Sequence, residues 1–266
     1  MFDLPRLAAS TLIAQLDHHE SLPSTSDRAL ELAATANVKF PLLVLADQQT
    51  AGRGRGANRW FSDSGALTFS LALEAPPSQL PADRWPQVAL TTGLALCEAL
   101  AALAPTADLR LKWPNDVYLA NKKIAGILSE SVPGSKSHLI IGIGININNS
   151  FNPKSKIQNP KSPDLTNVAA SLKDHDHLTR DLTTTLLTIL DHFDHRWRTL
   201  LGAGFTNIAQ EFRRHCLLTG KTVTIEQPPN APTTGFCRGI DDSGRLLVQT
   251  ITNEVPVISG TVLNWE

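Results

Sequence analysis

Residues Gly52-Arg53-Gly54-Arg55-Gly56-Ala57-Asn58-Arg59 put three glycines and three arginines into eight positions, between the apolar run PLLVLA and a second β-like run that starts at Ala66. Glycine has no Cβ, so its backbone amide comes close to an anion, and arginine presents a planar fork that matches phosphate or carboxylate oxygens bidentately. The stretch reads as an anion-binding loop, with Gln49 just ahead of it and Trp60 just behind. A mobile basic surface loop with weak nucleic-acid affinity fits the same residues.

Other polar groups stand where chemistry is possible. Ser24-Thr25-Ser26 precede RALELAATA, which is helix N-cap chemistry, and a helix N-terminus rich in hydroxyls also suits a polar ligand head. Lys112-Trp113-Pro114-Asn115-Asp116 and Lys123-Ile124-Ala125-Gly126 mix charge with apolar neighbours. That setting puts Lys123 at a cleft wall or, as is commoner for lysine, at a solvated hairpin end. Gly126 marks a close backbone approach. Gly142-Ile143-Gly144 lacks the third glycine and the following helix of a dinucleotide fingerprint, so that reading is rejected.

The elements that must position these groups follow from periodicity. Helices are expected over 7–19, after Asp27, over 84–103, and at about 165–173, 180–201 and 204–217. Strands are expected over 41–46, 66–73 and 138–147. In 66–73, Leu67, Phe69, Leu71 and Leu73 share one face, and Ala66, Thr68, Ser70 and Ala72 leave room on the other. Residues 109–130 read as strand, Pro-Asn-Asp corner, strand, Asn-Lys turn, strand. Residues 149–166 are a polar loop, and from Gly220 onward short β-like runs alternate with turns, the pattern of a small SH3-like β-barrel. The fold class expected is α+β, a mixed sheet flanked by helices over 1–217, with the small β-barrel over 218–266.

Composition narrows the partners. Lys+Arg and Asp+Glu nearly cancel, 24 against 25, so there is no global basic field to draw the chain to DNA or anionic lipid. No uninterrupted apolar run reaches the roughly 18 residues of a membrane helix and the N-terminus lacks the form of a secretory signal, so the expected location is the cytoplasm. Cys97, Cys216 and Cys237 are odd in number and unpaired in spacing, and read as buried small apolar residues. Asp174-His175-Asp176-His177 and Asp191-His192-Phe193-Asp194-His195 raise a metal hypothesis, but solvated helix surface is the commoner case.

Taken together and in order, Gly52-Arg53-Gly54-Arg55, Lys112-Trp113-Pro114-Asn115-Asp116, Lys123-Ile124-Ala125-Gly126-Ile127-Leu128 and Gly144-Ile145-Asn146-Ile147-Asn148 resemble the biotin protein ligases. The resemblance covers roughly residues 20–150 in motifs and the whole chain in architecture. It implies that biotin and ATP form biotinyl-AMP, with Mg2+ at the triphosphate. Biotin then passes to a lysine of the biotin carboxyl carrier domain of a carboxylase, acetyl-CoA carboxylase being the expected one. It further implies that Ser24, Thr25, Ser26, Gln49 and Gly126 belong to the biotin pocket, and that Arg53, Gly54 and Arg55 close on biotin and the adenylate phosphate. Lys123 matches the lysine at the biotin carboxylate. Lys112, Trp113, Asn115 and Asn146 match nucleotide contacts, and Asp116 matches an acidic residue at the reacting centre. Lys123, Arg53, Arg55 and Asp116 are thus the expected catalytic set, with no metal ligands assigned.

Two positions depart from the family pattern. Gly54-Arg55-Gly56-Ala57-Asn58 stands where Gly-Arg-Arg-Gly-Arg is common, and Ser26 stands where Asn usually follows Ser-Thr. The residues before Ser24 leave no room for a helix-turn-helix domain, so the resemblance is to the short ligases, monomer or homodimer, with no operator binding expected. Two rivals stay open from sequence. One is a lipoate or octanoyl ligase or transferase of the same fold superfamily. The other is an RNA-binding module using Arg53, Arg55, Arg59 and Trp60, which neutral net charge weighs against.

Overall fold

A computed structural model describes residues 2–151 and 165–266. The strands of its large sheet are β1 (Gln15–Leu22), β2 (Leu42–Gln49), β3 (Ala66–Glu74), β4 (Leu109–Lys112), β5 (Asp116–Leu119), β6 (Lys122–Ser131) and β7 (His138–Asn146). They lie in the order β1-β2-β3-β7-β6-β5-β4, with β1 parallel to β2 and the other pairs antiparallel. The helices are α1 (Leu4–Ala8), α2 (Thr25–Ala33), α3 (Pro86–Leu103), α4 (Leu172–Asp176), α5 (Leu182–Ala203) and α6 (Thr206–His215). A second sheet holds β8 (Thr222–Gln227), β9 (Asn230–Ile240), β10 (Leu246–Gln249), β11 (Glu254–Val257) and β12 (Thr261–Trp265), antiparallel throughout in the order β11-β10-β9-β8-β12. The expected α+β class holds, with a mixed sheet between helices and a small antiparallel sheet at the C-terminal end.

The period-two pattern of β3 decides which helix covers which face. Leu67, Phe69, Leu71 and Leu73 join Leu94, Leu100, Ile189 and Phe193 of α3 and α5 in the main core. The opposite face has smaller side chains, and there Ala72 packs with Leu42, Val44 and Ala29 of α2. Because that second face is shallow, it has space for a site beside α2. By length and composition α3 is apolar enough to cross a bilayer, yet most of it is buried inside the fold, the setting of a central core helix.

Two expected helices are corrected. Of the helix expected over 7–19 only α1 exists, and residues 15–22 form β1, whose backbone finds its partners along β2 through the crossover of α2. Asp17, His18, His19 and Glu20 keep this edge strand polar, a common way to blunt an edge. The helix expected near 165–173 begins only at Leu172. Ahead of it, Val168 O accepts from Lys123 N at 2.9 Å and Ala170 N donates to Lys123 O at 2.9 Å, so this stretch runs beside the start of β6. The polar loop expected over 149–166 lies mostly outside the described residues.

The Asp/His clusters serve local structure. The Asp174 carboxylate accepts from Ser150 Oγ at 2.7 Å and Phe151 N at 2.8 Å, Asp176 pairs with Arg180, and His192 Nδ1 lies 2.9 Å from Thr188 O. Among the described residues no three metal-ligating side chains gather.

All three thiols are free and buried, and burial pushes both Cys97 and Cys237 up to about 12. Since the thiolate is the reactive species, the native chain is expected to react negligibly with a disulfide reagent at pH 8 and to expose three thiols on unfolding. A thiol titrating rapidly in the native protein would contradict this packing.

Candidate functional site

A cavity of about 710 Å3 opens beside α2, within the roughly 300–1,000 Å3 usual for small-molecule sites. Its walls come from the start of α2, the arginine loop, the corner between β4 and β5, the middle of β6 and β7, and the C-terminal sheet through Glu226, Thr261 and Val262.

One end is built of hydroxyls. Ser24 caps α2 by accepting from Asp27 N at 3.3 Å, and the Gln49 carboxamide oxygen accepts from Thr25 N at 2.7 Å and Thr25 Oγ1 at 3.1 Å. Ser70 Oγ donates to Thr25 Oγ1 at 2.8 Å and lies 3.1 Å from Ser26 Oγ. All four hydroxyl residues are buried. Such a network is stable only because its members satisfy each other, and it presents fixed donors and acceptors to whatever fills the cavity. The small face of β3 supplies Ser70, and Ser26 takes a partner there that the sequence comparison with Asn did not reveal.

The floor is bare backbone. Gly126 and Gly144 are cross-strand neighbours, and the Trp60 indole lies over them. A Cβ on Gly144 would fall 2.2 Å from Trp60 Cε2, and one on Gly142 would fall 2.3 Å from Ser26 Oγ. The Gly-Ile-Gly spacing thus clears a lane on one sheet face for an aromatic ring and a hydroxyl. The Trp60 indole N–H is buried with no acceptor among the described residues. In a Gly144→Ala variant the ring must leave, so its tryptophan emission is expected to shift red; emission identical to that of the parent would contradict the close approach.

The cations fall into distinct settings. The Arg53 guanidinium meets Glu130 bidentately at 2.7 and 2.6 Å, and Arg53 Nε lies 2.8 Å from Asp27 Oδ1, so two carboxylates hold the start of the loop. Lys123 Nζ lies 2.6 Å from Asp116 Oδ1. Arg55 Nη1 donates to Asn115 Oδ1 at 3.3 Å and Gly260 O at 3.2 Å, while Asn115 Nδ2 donates to Ile127 O at 2.7 Å. Lys112 Nζ stands 4.1 Å from the centre of the Trp265 ring and 5.7 Å from that of Tyr118. Burial lowers the Lys112 amine from its ordinary value, opposed by Asp116 and reinforced by Lys123. Burial likewise lowers Arg55, against the pull of Asp116, though a guanidinium stays charged regardless. The loop is shaped as a short hairpin, with Gly54 N donating to Asn58 O and Trp60 N to Gly52 O, both at 2.9 Å.

Of the residues singled out from sequence, Ser24, Thr25, Ser26, Gln49, Arg53, Gly54, Arg55, Lys112, Trp113, Asn115, Asp116, Lys123 and Gly126 all line this one cavity. Asn146 does not: it is buried beside the wall, its carboxamide oxygen accepting from Asn149 Nδ2 at 3.0 Å. Trp113 has only 1% of its surface exposed and donates its indole N–H to Gly244 O at 3.1 Å, so it anchors the corner from within the core. Sequence reasoning did not single out Ser70, Asp27, Glu130, Gly260 or Trp265, which hold Thr25, Arg53, Arg55 and Lys112 of the lining from behind. The small-residue face of β3 was the available signal for Ser70; the rest depend on long-range contacts.

Fold and site together match a known class. The family profile described as Biotin/lipoate A/B protein ligase family matches residues 19–148, and that described as Biotin protein ligase C terminal domain matches residues 218–263. The chain is 34% identical over 239 residues to the bifunctional ligase/repressor BirA of Bacillus spizizenii, covering 88% of this chain and 69% of that protein. It is 31% identical over 228 residues to the biotin--[acetyl-CoA-carboxylase] ligase of Paracoccus denitrificans, covering 85% and 90%. The solved biotin protein ligase from Aquifex aeolicus in complex with biotin and ATP superposes with a TM-score of 0.79 at 28% identity, over 96% of this chain and 99% of that one. The chain belongs to the biotin protein ligase family.

Proposed function

We propose that this chain activates biotin with ATP as biotinyl-AMP and transfers the biotinyl group to a lysine of a biotin carboxyl carrier domain, releasing AMP. Acetyl-CoA carboxylase is the acceptor class in the names of its relatives, and the cytoplasm is the proposed location. Residues 1–217 form the catalytic unit and 218–266 the C-terminal unit. The observation that carries the reading is the meeting of Arg55, Lys112 and Lys123 on one cavity whose other end is a buried set of hydroxyls.

In the first step a biotin carboxylate oxygen attacks the α-phosphorus of ATP, forming the acyl phosphate bond while pyrophosphate departs. Two anions must approach, and cations at the meeting point lower that barrier and hold the charge that develops in the transition state. Lys123, fixed on β6 by backbone bonds to Val168 and Ala170, is suited to the carboxylate; Arg55 and Lys112 are suited to the phosphates. The hydroxyls of Ser24, Thr25 and Ser26 with Gln49 suit the polar ring end of biotin. The cavity lining offers two carboxylates, Asp116 and Glu226, a donor set that fits a cation held chiefly by phosphate oxygens. Mg2+ held there with the phosphates would supply the positive charge that neutralises the triphosphate and its pyrophosphate leaving group. In the second step a neutral lysine amine of the acceptor attacks the biotinyl carbonyl and AMP leaves, with Asp116 suited to orient the amine or to take its proton. The loop across the cavity keeps water from the mixed anhydride.

Mass spectrometry of the purified protein mixed with biotin and Mg-ATP tests the first step: retained biotinyl-AMP is expected, and labelled biotin should then pass to a carrier domain. Absence of the adenylate, together with absence of biotin-dependent ATP–pyrophosphate exchange, would overturn the reading.

A further inference from the structure

The cations of the cavity differ in what holds them. Arg53 and Lys123 are each neutralised by carboxylates at 2.6 to 2.8 Å, whereas Lys112 makes no ion pair among the described residues and faces two aromatic rings instead. A π face attracts an ammonium through its quadrupole without cancelling its charge and without competing as a hydrogen-bond acceptor. The ammonium is thereby oriented, yet its full charge remains available to an anion.

The rings come from distant parts of the chain, positions 118 and 265. Tyr118 is buried on β5, and burial holds its phenol well above its ordinary value, so the ring is neutral. Trp265 lies at the end of β12, next to the last residue, where its backbone is held by pairing with Val223 and by bonds between Glu266 and Thr222 at 3.1 Å each way. The two rings meet edge to face, centres 6.0 Å apart at 86°, and Lys112 Nζ sits closer to the Trp265 ring. The neighbouring phosphate-side cation is also held from the C-terminal sheet, since Arg55 donates to Gly260 O just ahead of β12.

The geometry points to Trp265 as a positioning residue that holds the Lys112 ammonium at the cavity for the polyphosphate of the nucleotide. This deepens the proposed ligase reading and rests on it for the identity of the substrate. Trp265 acts through Lys112, and its removal frees a long flexible side chain without removing the charge. The proposed biotin contacts, Ser24, Thr25, Ser26 and Gln49 with Lys123, do not include this pair, so the effect is expected in the nucleotide parameters.

The test compares Trp265→Leu, Trp265→Phe, Lys112→Met and the Trp265→Leu/Lys112→Met double variant of the full chain, each checked for an unchanged unfolding temperature. Titration with inorganic tripolyphosphate reads the anion site directly, and ATP–pyrophosphate exchange reads KM for ATP and for biotin separately. Trp265→Leu is expected to weaken tripolyphosphate binding and raise the KM for ATP on the order of three- to tenfold, leaving the KM for biotin unchanged. Trp265→Phe, which keeps a π face, recovers most of the loss, and Trp265→Leu on the Lys112→Met background adds none. Tripolyphosphate affinity unchanged in Trp265→Leu, or weakened equally on both backgrounds, would overturn the proposal. Should Trp265→Leu not fold, Tyr118→Leu carries the same test through the more distant ring, with a smaller shift expected and an absent one counting against the proposal. Exchange absent in the parent chain, with tripolyphosphate still bound through Trp265 and Lys112, would sink the ligase reading and leave this one standing.

Discussion

A Lys123→Met chain is expected to lose biotin adenylation by about 10²–10³-fold in kcat, the range measured when one preorganised charge-stabilising donor is removed from an active site. Lys123 projects into the cavity from β6, its backbone N–H bonded to Val168 O and its carbonyl to Ala170 N, both at 2.9 Å. That double clamp fixes where its ammonium can reach. Its partner Asp116 lies at 2.6 Å, with 16% of its side chain exposed, so methionine leaves a largely buried carboxylate unpaired where the biotin carboxylate is proposed to sit. Loss of attraction and gain of repulsion act in the same direction. Biotin-dependent ATP–pyrophosphate exchange measures the effect, and Asp116→Asn in the Lys123→Met background should recover part of it by removing the repulsion. Exchange within threefold of the parent would show that the carboxylate is not met by Lys123.

Trp113→Ala is expected to cost about 3–5 kcal/mol of stability, the usual range for deleting a fully buried tryptophan side chain. At roughly 2–4 °C per kcal/mol for a chain of this size class, the unfolding temperature falls by about 6–20 °C. Trp113 is 1% exposed, and its indole N–H donates to Gly244 O at 3.1 Å across the boundary between the two sheets. Alanine therefore leaves a cavity and also an unpaired carbonyl. Since Lys112 and Asn115 flank this anchor, adenylation weakens too, in the nucleotide parameters before the biotin ones. Thermal unfolding followed by circular dichroism is the measurement. A shift below about 3 °C would place Trp113 outside the core and return it to a purely nucleotide-contacting role.

Whatever has a local period was readable before any coordinates. The alternation of Leu67, Phe69, Leu71 and Leu73 against Thr68 and Ser70 announced both faces of β3, because side chains on a strand point alternately up and down. The apolar run of α3 announced a central helix, and the Asn-Lys turn gave the hairpin between β5 and β6, where Ala120 and Asn121 take positive φ of 47° and 66° as a tight turn requires. Residues 15–22 misled, because their choice between helix and strand was made by the backbone of β2, more than 20 positions along the chain.

By itself the chain determined its fold class, its family motifs and the short list of polar residues that could meet a carboxylate and a phosphate, since these reside in composition, spacing and periodicity. Only tertiary structure decided which of those cations remain available to a ligand. That depends on partners far away in sequence: Glu130 for Arg53 at a separation of 77, Gly260 for Arg55 at 205, and Trp265 for Lys112. Charge is a property of residue type, but its availability is set by what packs against it, and packing is a property of the folded chain.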